Sequence, residues 1–326
     1  MQTLIKQTQA YKLMLSEKRK GFHHAYLIVM DDARFLRLTL KTFAKLFFDC
    51  QDELTREEQA LSSRIDADGY PDCLSFPEEG KKPVVEDAEK IQEESALRPM
   101  HGEKKLFLIS DFADANPATQ NKLLKLLEEP PEGVVFLLGA TSSFSVLPTV
   151  LSRTKKLEIP AFNVDEVAKC LSRLYGNKYD DRVLELSAVA SGGLVGNAVN
   201  VLEGGRYNAL IEMAFDFCLS SDNTLPTAVK KHGDTPYKKD VFTLLRMIFR
   251  DALLLKSGAG KEKDVVLKTE ITRVKRVVDA YTAHALTQAQ TLLSKAEKDV
   301  FFNVPFAQAI EICMANLHAC NKKTIG

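Results

Sequence analysis

The chain reads as an α/β core built on a parallel sheet, followed by an all-helical C-terminal region. Two apolar runs, at residues 106–109 and 134–138, flank a segment of helical spacing, which is the pattern of a β-α-β unit. Both runs are nearly continuous in apolar residues, as expected of parallel strands covered by helices on both faces. From residue 207 onward only helical periodicity is left. At 326 residues the chain exceeds one ordinary core, so two or three domains are expected.

In chain order, residues 1–22 are polar with a loose helical pattern, and His23-His24 leads into an apolar strand at 26–30. A helix from about 33 to 48 offers Phe35, Leu36, Leu40, Phe43 and Phe47 for burial. Residues 51–65 form a polar, Glu-rich helical stretch, 77–83 a solvent loop, and 86–97 an acidic helix that turns through 99–104 into the first strand of the central unit. Its helix is well marked: Asn116 can cap it, Pro117 suits its first turn, Leu123, Leu124, Leu126 and Leu127 share a face, and Pro130-Pro131 stops it. A helix begins at Leu147, and 155–160 reads as the last strand. Helices are then predicted over 164–175, 181–190 and from near Val195, with a hinge at Gly204-Gly205, followed by 207–219, 239–256, 265–285, 286–296 and 305–319.

Lys and Arg total 44, as do Asp and Glu. That balance argues against a strongly basic nucleic-acid binder acting alone. No charged segment followed by an apolar h-region opens the sequence, and no apolar run is long enough to span a bilayer, so a cytoplasmic protein without membrane contact is expected. Six scattered cysteines without a CxxC pair suit reduced thiols. His23-His24 lacks further ligands nearby, and Cys50 with Cys73 cannot complete a tetrahedral site, so no metal is expected.

Three runs carry a resemblance: Asp111-Phe112-Ala113-Asp114, then LLKLLEEPP over 123–131, then LPTVLSR over 147–153. Together they resemble the bacterial DNA polymerase III clamp-loader ATPases of the AAA+ class. The resemblance implies three parts: an AAA+ α/β core over 1–160, a small helical lid over 161–204, and an all-helical collar over 205–326 for oligomerisation. The partners it implies are the tau/gamma motor subunits and the delta subunit, with the sliding clamp and primed DNA reached through the complex.

The chain departs from an active member of that family in consistent ways. A phosphate loop needs glycines for backbone wrapping, a Lys for the phosphates and a Ser or Thr for magnesium. The strand at 26–30 is followed instead by Asp31-Asp32-Ala33-Arg34, with two carboxylates where phosphate would sit. The family's water-activating glutamate is Phe112, and Asp111 with Asp114 reads as ordinary solvated turn carboxylates. Gly139-Ala140-Thr141 and Gly196-Asn197-Ala198 stand where relatives place phosphate sensors. No cofactor is therefore expected, and no ATP hydrolysis by this chain alone.

What persists is Ser152-Arg153. In the family this motif carries an arginine across a subunit interface to a neighbour's γ-phosphate. A guanidinium suits that task because it is always charged and presents a planar fork of donors. Arg153 is thus the candidate arginine finger, with Ser152 beside it; a simple pairing of Arg153 with a nearby carboxylate is the other reading. Lys230-Lys231, Lys238-Lys239 and Arg273, Lys275 and Arg276 read as solvated helix faces. Two further roles stay open: the clamp-opening subunit of the same complex, and a nucleotide-independent AAA+-fold scaffold in DNA repair.

Overall fold

The computed structural model describes residues 1–50 and 55–322. Its chain divides into two compact units, Met1–Ala161 and Phe162–Gly326.

The first unit opens with helices α1 (Gln2–Gln7) and α2 (Gln9–Glu17) and then alternates strands and helices: β1 (Ala25–Val29), α3 (Ala33–Ala44), α4 (Arg56–Asp66), β2 (Cys73–Phe76), α5 (Val85–Ser95), β3 (Lys105–Ile109), α6 (Pro117–Glu128), β4 (Val134–Ala140), α7 (Pro148–Leu151) and β5 (Lys155–Glu158). Among the described residues the strands form one five-stranded sheet in the order β2-β3-β4-β1-β5, every neighbouring pair parallel. Strands β3 and β4 are buried along their whole length, as their unbroken apolar runs require. Phe107 and Phe136 stack with ring centroids 5.4 Å apart, in a core shared with Leu123 and Leu127 of α6.

Local chemistry sets the element ends. Asn116 accepts the Thr119 N–H at 2.8 Å with Pro117 in the first turn, so α6 starts where capping predicts. Thr55 and Glu58 form a reciprocal capping box on α4. Gly133 has φ +78°, and a Cβ there would meet Glu103 O at 2.3 Å, so only glycine fits the turn into β4. The predicted helix over 33–48 ends at Ala44 and tightens into a 3₁₀ turn, Lys45–Phe48. Residues 51–54 of the predicted Glu-rich helix lie outside the described residues.

The second unit contains α8 (Val164–Tyr175), α9 (Asp181–Ala190), α10 (Val195–Glu203), α11 (Tyr207–Cys218), α12 (Leu225–His232), α13 (Lys238–Lys256), α14 (Ile271–Ala280), α15 (Ala283–Phe301) and α16 (Phe306–Lys322). One apolar cluster runs through it, joining Leu186, Val189 and Val201 to Phe215, Phe242, Phe249 and Phe306. Three features differ from the sequence expectation. Strand β2 was not foreseen, α12 was not foreseen, and the helix expected over 265–285 ends at Ala280, with α15 starting at Ala283 instead of 286, and begins only at Ile271. The last has a clear cause: the buried Asp251 carboxylate accepts the Val266 and Leu267 N–H groups at 2.9 and 2.8 Å, holding that backbone out of a helix. Burial raises the pKa of Asp251 above the usual carboxylate value despite these bonds.

Candidate functional site

In open α/β sheets ligands bind outside the carboxyl ends of the strands. Three of the singled-out segments converge there. Asp31 and Asp32 follow β1, Asp111-Phe112 follows β3, and Thr141 follows β4. Asp32 is 4% exposed at the N-cap of α3, so the chain places one of its own acidic residues at the helix end that favours an anion, without a side-chain capping bond. Phe112 is fully buried in the sheet's apolar cluster. Asp111 adopts a left-handed backbone, φ 53°, and is half-buried rather than solvated; burial, with help from nearby Asp114, raises its pKa. Asp114 pairs with Lys82 at 3.0 Å. Gly139 has a packing reason: a Cβ would stand 3.0 Å from Leu40 Cδ1 and 3.1 Å from Leu36 Cγ, so the missing side chain lets α3 press onto β4. In the second unit Gly196 and Ala198 are buried within α10, and Asn197 donates weakly to Ser191 O at 3.4 Å.

Ser152 and Arg153 lie at the opposite end of the sheet. They follow α7 and immediately precede β5, so they belong to the amino ends of the parallel strands. His23 and His24 precede β1 on the same side, and the last turn of α6 ends there before β4. These elements surround an open concavity of about 520 Å³ lined by His23, His24, Glu128, Ser152, Arg153 and Lys155 among others.

Each side chain in the motif folds back on α7. Ser152 Oγ donates to Thr149 O at 3.1 Å, and Thr154 Oγ1 donates to Val150 O at 3.1 Å. Arg153 Nη1 donates to Thr149 O at 2.9 Å and to Ser152 Oγ at 3.3 Å, a cation on the carbonyl end of a short helix. Arg153 Nη2 lies 3.3 Å from Glu128 Oε1, so a carboxylate pairing is realised in this chain. Arg153 Nε is buried without a hydrogen-bond partner.

Three residues that shape this site were not singled out for it by the sequence. Gln120 is 1% exposed; its amide nitrogen donates to Ala115 O and Ser145 O at 2.9 and 3.0 Å, and its oxygen accepts the Leu147 N–H at 2.9 Å, stapling the loop before α7 to α6. His24 Nε2 donates to Leu127 O at 2.9 Å, which fixes the tautomer, since a carbonyl only accepts. Glu128 was visible only as part of the LLKLLEEPP run. Polar residues inside or just after an apolar helical face were the available signal.

No group of three or more His, Cys, Asp or Glu able to hold a metal occurs among the described residues. Cys50 and Cys73 are buried, and burial pushes the Cys73 thiol up to about 12. Among the basic clusters, Lys231 pairs with Asp216 at 2.9 Å, and Arg273 binds Glu212 through both nitrogens at 2.7 and 3.0 Å while lying over the Phe215 ring. No helix among the described residues is long and apolar enough to cross a membrane.

Residues 5–163 match a family model described as DNA polymerase III, delta subunit. The gamma subunit of DNA polymerase III from Buchnera aphidicola subsp. Schizaphis graminum is 22% identical over 270 residues, covering 74% of each chain. The tau subunit from Escherichia coli K12 is 30% identical over 191 residues, covering 56% of this chain and 29% of that protein. The chain thus spans about three quarters of the first relative and under a third of the second. A gamma subunit-related protein of Thermotoga maritima aligns over 96% of this chain and 100% of its own at 15% identity, with a TM-score of 0.42. Over residues 5–163 the chain is thus similar to a DNA polymerase III subunit family, and it is similar to gamma and tau subunits of that polymerase.

Proposed function

We propose that this chain is a non-hydrolysing, delta-prime-type stator subunit of a cytoplasmic DNA polymerase III clamp loader. It sits beside a tau/gamma motor subunit and a delta subunit and offers Arg153 to the motor's ATP while the sliding clamp is loaded onto primed DNA. Residues 1–160 serve as the core, 161–204 as the lid, and 205–326 as the collar that joins it to its neighbours.

One observation carries the reading. Ser152-Arg153 is retained at the amino ends of the strands, while the carboxyl ends hold Asp31, Asp32 and Phe112 in place of phosphate-binding and water-activating groups. A five-residue strand at roughly 3.3 Å per residue separates the two ends by about 16 Å, beyond an arginine's reach. An arginine so placed acts on a nucleotide only if a neighbour supplies it.

The test is ATP binding by the isolated chain, followed by its assembly with a motor subunit. The expected result is no saturable binding of nucleotide and a stable complex with the motor. Saturable binding accompanied by hydrolysis overturns the proposal. The family description of a delta subunit favours a second reading, the clamp-opening subunit. That subunit binds the sliding clamp tightly on its own, so tight binding of the isolated chain to the clamp decides for it.

A further inference from the structure

We infer that Glu128 is a positioning residue for Arg153, a resident counter-ion that parks the guanidinium and yields to the phosphoryl oxygens of a neighbour's nucleotide. This rests on the proposed role of Arg153 in trans.

The parked state is defined by contacts on both terminal nitrogens. Nη1 is held by Thr149 O and Ser152 Oγ, and Nη2 lies 3.3 Å from Glu128 Oε1. The Nε–H is buried without an acceptor, so this arrangement leaves that donor of the fork unused. A multi-oxygen anion can take Nη2 and Nε together, as a single carboxylate oxygen on Nη2 does not.

Glu128 itself has no reason to be acidic within its own helix. It is the last residue of α6, at the carbonyl end, where a negative charge is unfavourable and a cation such as Lys125 is preferred. The Arg153 guanidinium supplies the reason. The frame around the pair is fixed: His24 holds the Leu127 carbonyl next to Glu128, and Gln120 ties the approach to α7 onto the start of α6. Only the pair itself is loose, with the Arg153 side chain 31% exposed and that of Glu128 58% exposed, beside an open concavity. An ion pair this exposed shifts an equilibrium by a factor of only about one to five, small enough for an incoming phosphate to displace.

The experiment rebuilds the loader with native chain, Glu128→Gln, Arg153→Ala or the double variant, confirms assembly, and titrates ATP while following hydrolysis stimulated by clamp and DNA. Removing the competing carboxylate should lower the ATP concentration for half-saturation at the affected site about two- to fivefold, with the maximal rate kept. The double variant should match Arg153→Ala. Thermal unfolding of the isolated Glu128→Gln chain should be unchanged or slightly higher, because a charge leaves the wrong end of α6. Unchanged titration, a raised half-saturation, or a lost rate for Glu128→Gln overturns the inference while leaving Arg153 in its role. If Arg153→Ala itself behaves as native, the role of Arg153 in trans fails, and the parking role of Glu128 falls with it.

Discussion

The Asp72 carboxylate, with no exposed surface, accepts the backbone N–H of His101 at 2.7 Å and that of Met100 at 2.6 Å. Asp72 O also receives the Leu106 N–H at 2.8 Å, so this one residue joins the start of β2 to the turn before β3. A carboxylate accepting two backbone donors is the strong kind of hydrogen bond, and its loss strands both donors. Asp72→Ala should therefore destabilise the fold by about 2–4 kcal/mol, read as a lower denaturant midpoint at unchanged slope. A shift within about 0.5 kcal/mol would show that water replaces the carboxylate.

A charge clasp of two buried lysines and two partly exposed carboxylates holds the end of α4 and the segment after it. Lys41 Nζ meets Asp68 Oδ2 at 2.8 Å and Asp66 O at 2.7 Å, and Lys45 Nζ meets Asp66 Oδ2 at 2.7 Å. Burial pushes the Asp68 carboxyl up, but the Lys41 hydrogen bond and the Arg37 and Lys41 charges outweigh it and leave its pKa lowered. A lowered carboxylate contributes stability that is present above the unfolded value, roughly 3.9, and lost as pH falls through the folded one. Asp68→Asn should cost about 1 kcal/mol or less at neutral pH, after allowance for its exposure, and the gap to native should close below about pH 4. Urea midpoints between pH 7 and pH 3 measure this, and a gap independent of pH would contradict it.

Gly139 tests the packing of α3 on β4. An added Cβ lands 3.0–3.2 Å from Leu36 and Leu40, both fully buried, so neither can swing into solvent. Gly139→Ala should cost about 1–3 kcal/mol, and Gly139→Val more. A neutral alanine would mean that α3 can move back without loss.

Much of this was legible in the sequence. The β-α-β unit could be read because the strands at 106–109 and 134–138 are buried on both faces, and Asn116, Pro117, Pro130 and Pro131 mark the helix between them. Strand β2 escaped notice because it is four residues long, lies at the sheet edge, and alternates weakly with Cys73 and Ser75 in its run. The spacing of residues 265–270 fits a helix; the distant Asp251 carboxylate, which takes the Val266 and Leu267 N–H groups, shows why no α-helix starts there and only a 3₁₀ turn forms over Lys268–Glu270. Ser152 and Arg153 could be named from their motif. Glu128, Gln120 and His24 could not be assigned to them, because their meeting at the amino ends of the strands exists only after the sheet has formed.

The role of Arg153 is tested most directly by ATP hydrolysis, stimulated by clamp and DNA, in a loader rebuilt with native chain or Arg153→Ala after both are shown to assemble. An arginine finger contributes about a thousandfold or more at the site it serves. One of several sites is affected, so the expected result is a partial loss of turnover with a larger loss of clamp loading. Unchanged hydrolysis and loading in an intact complex would contradict the account and leave Arg153 as no more than the partner of Glu128.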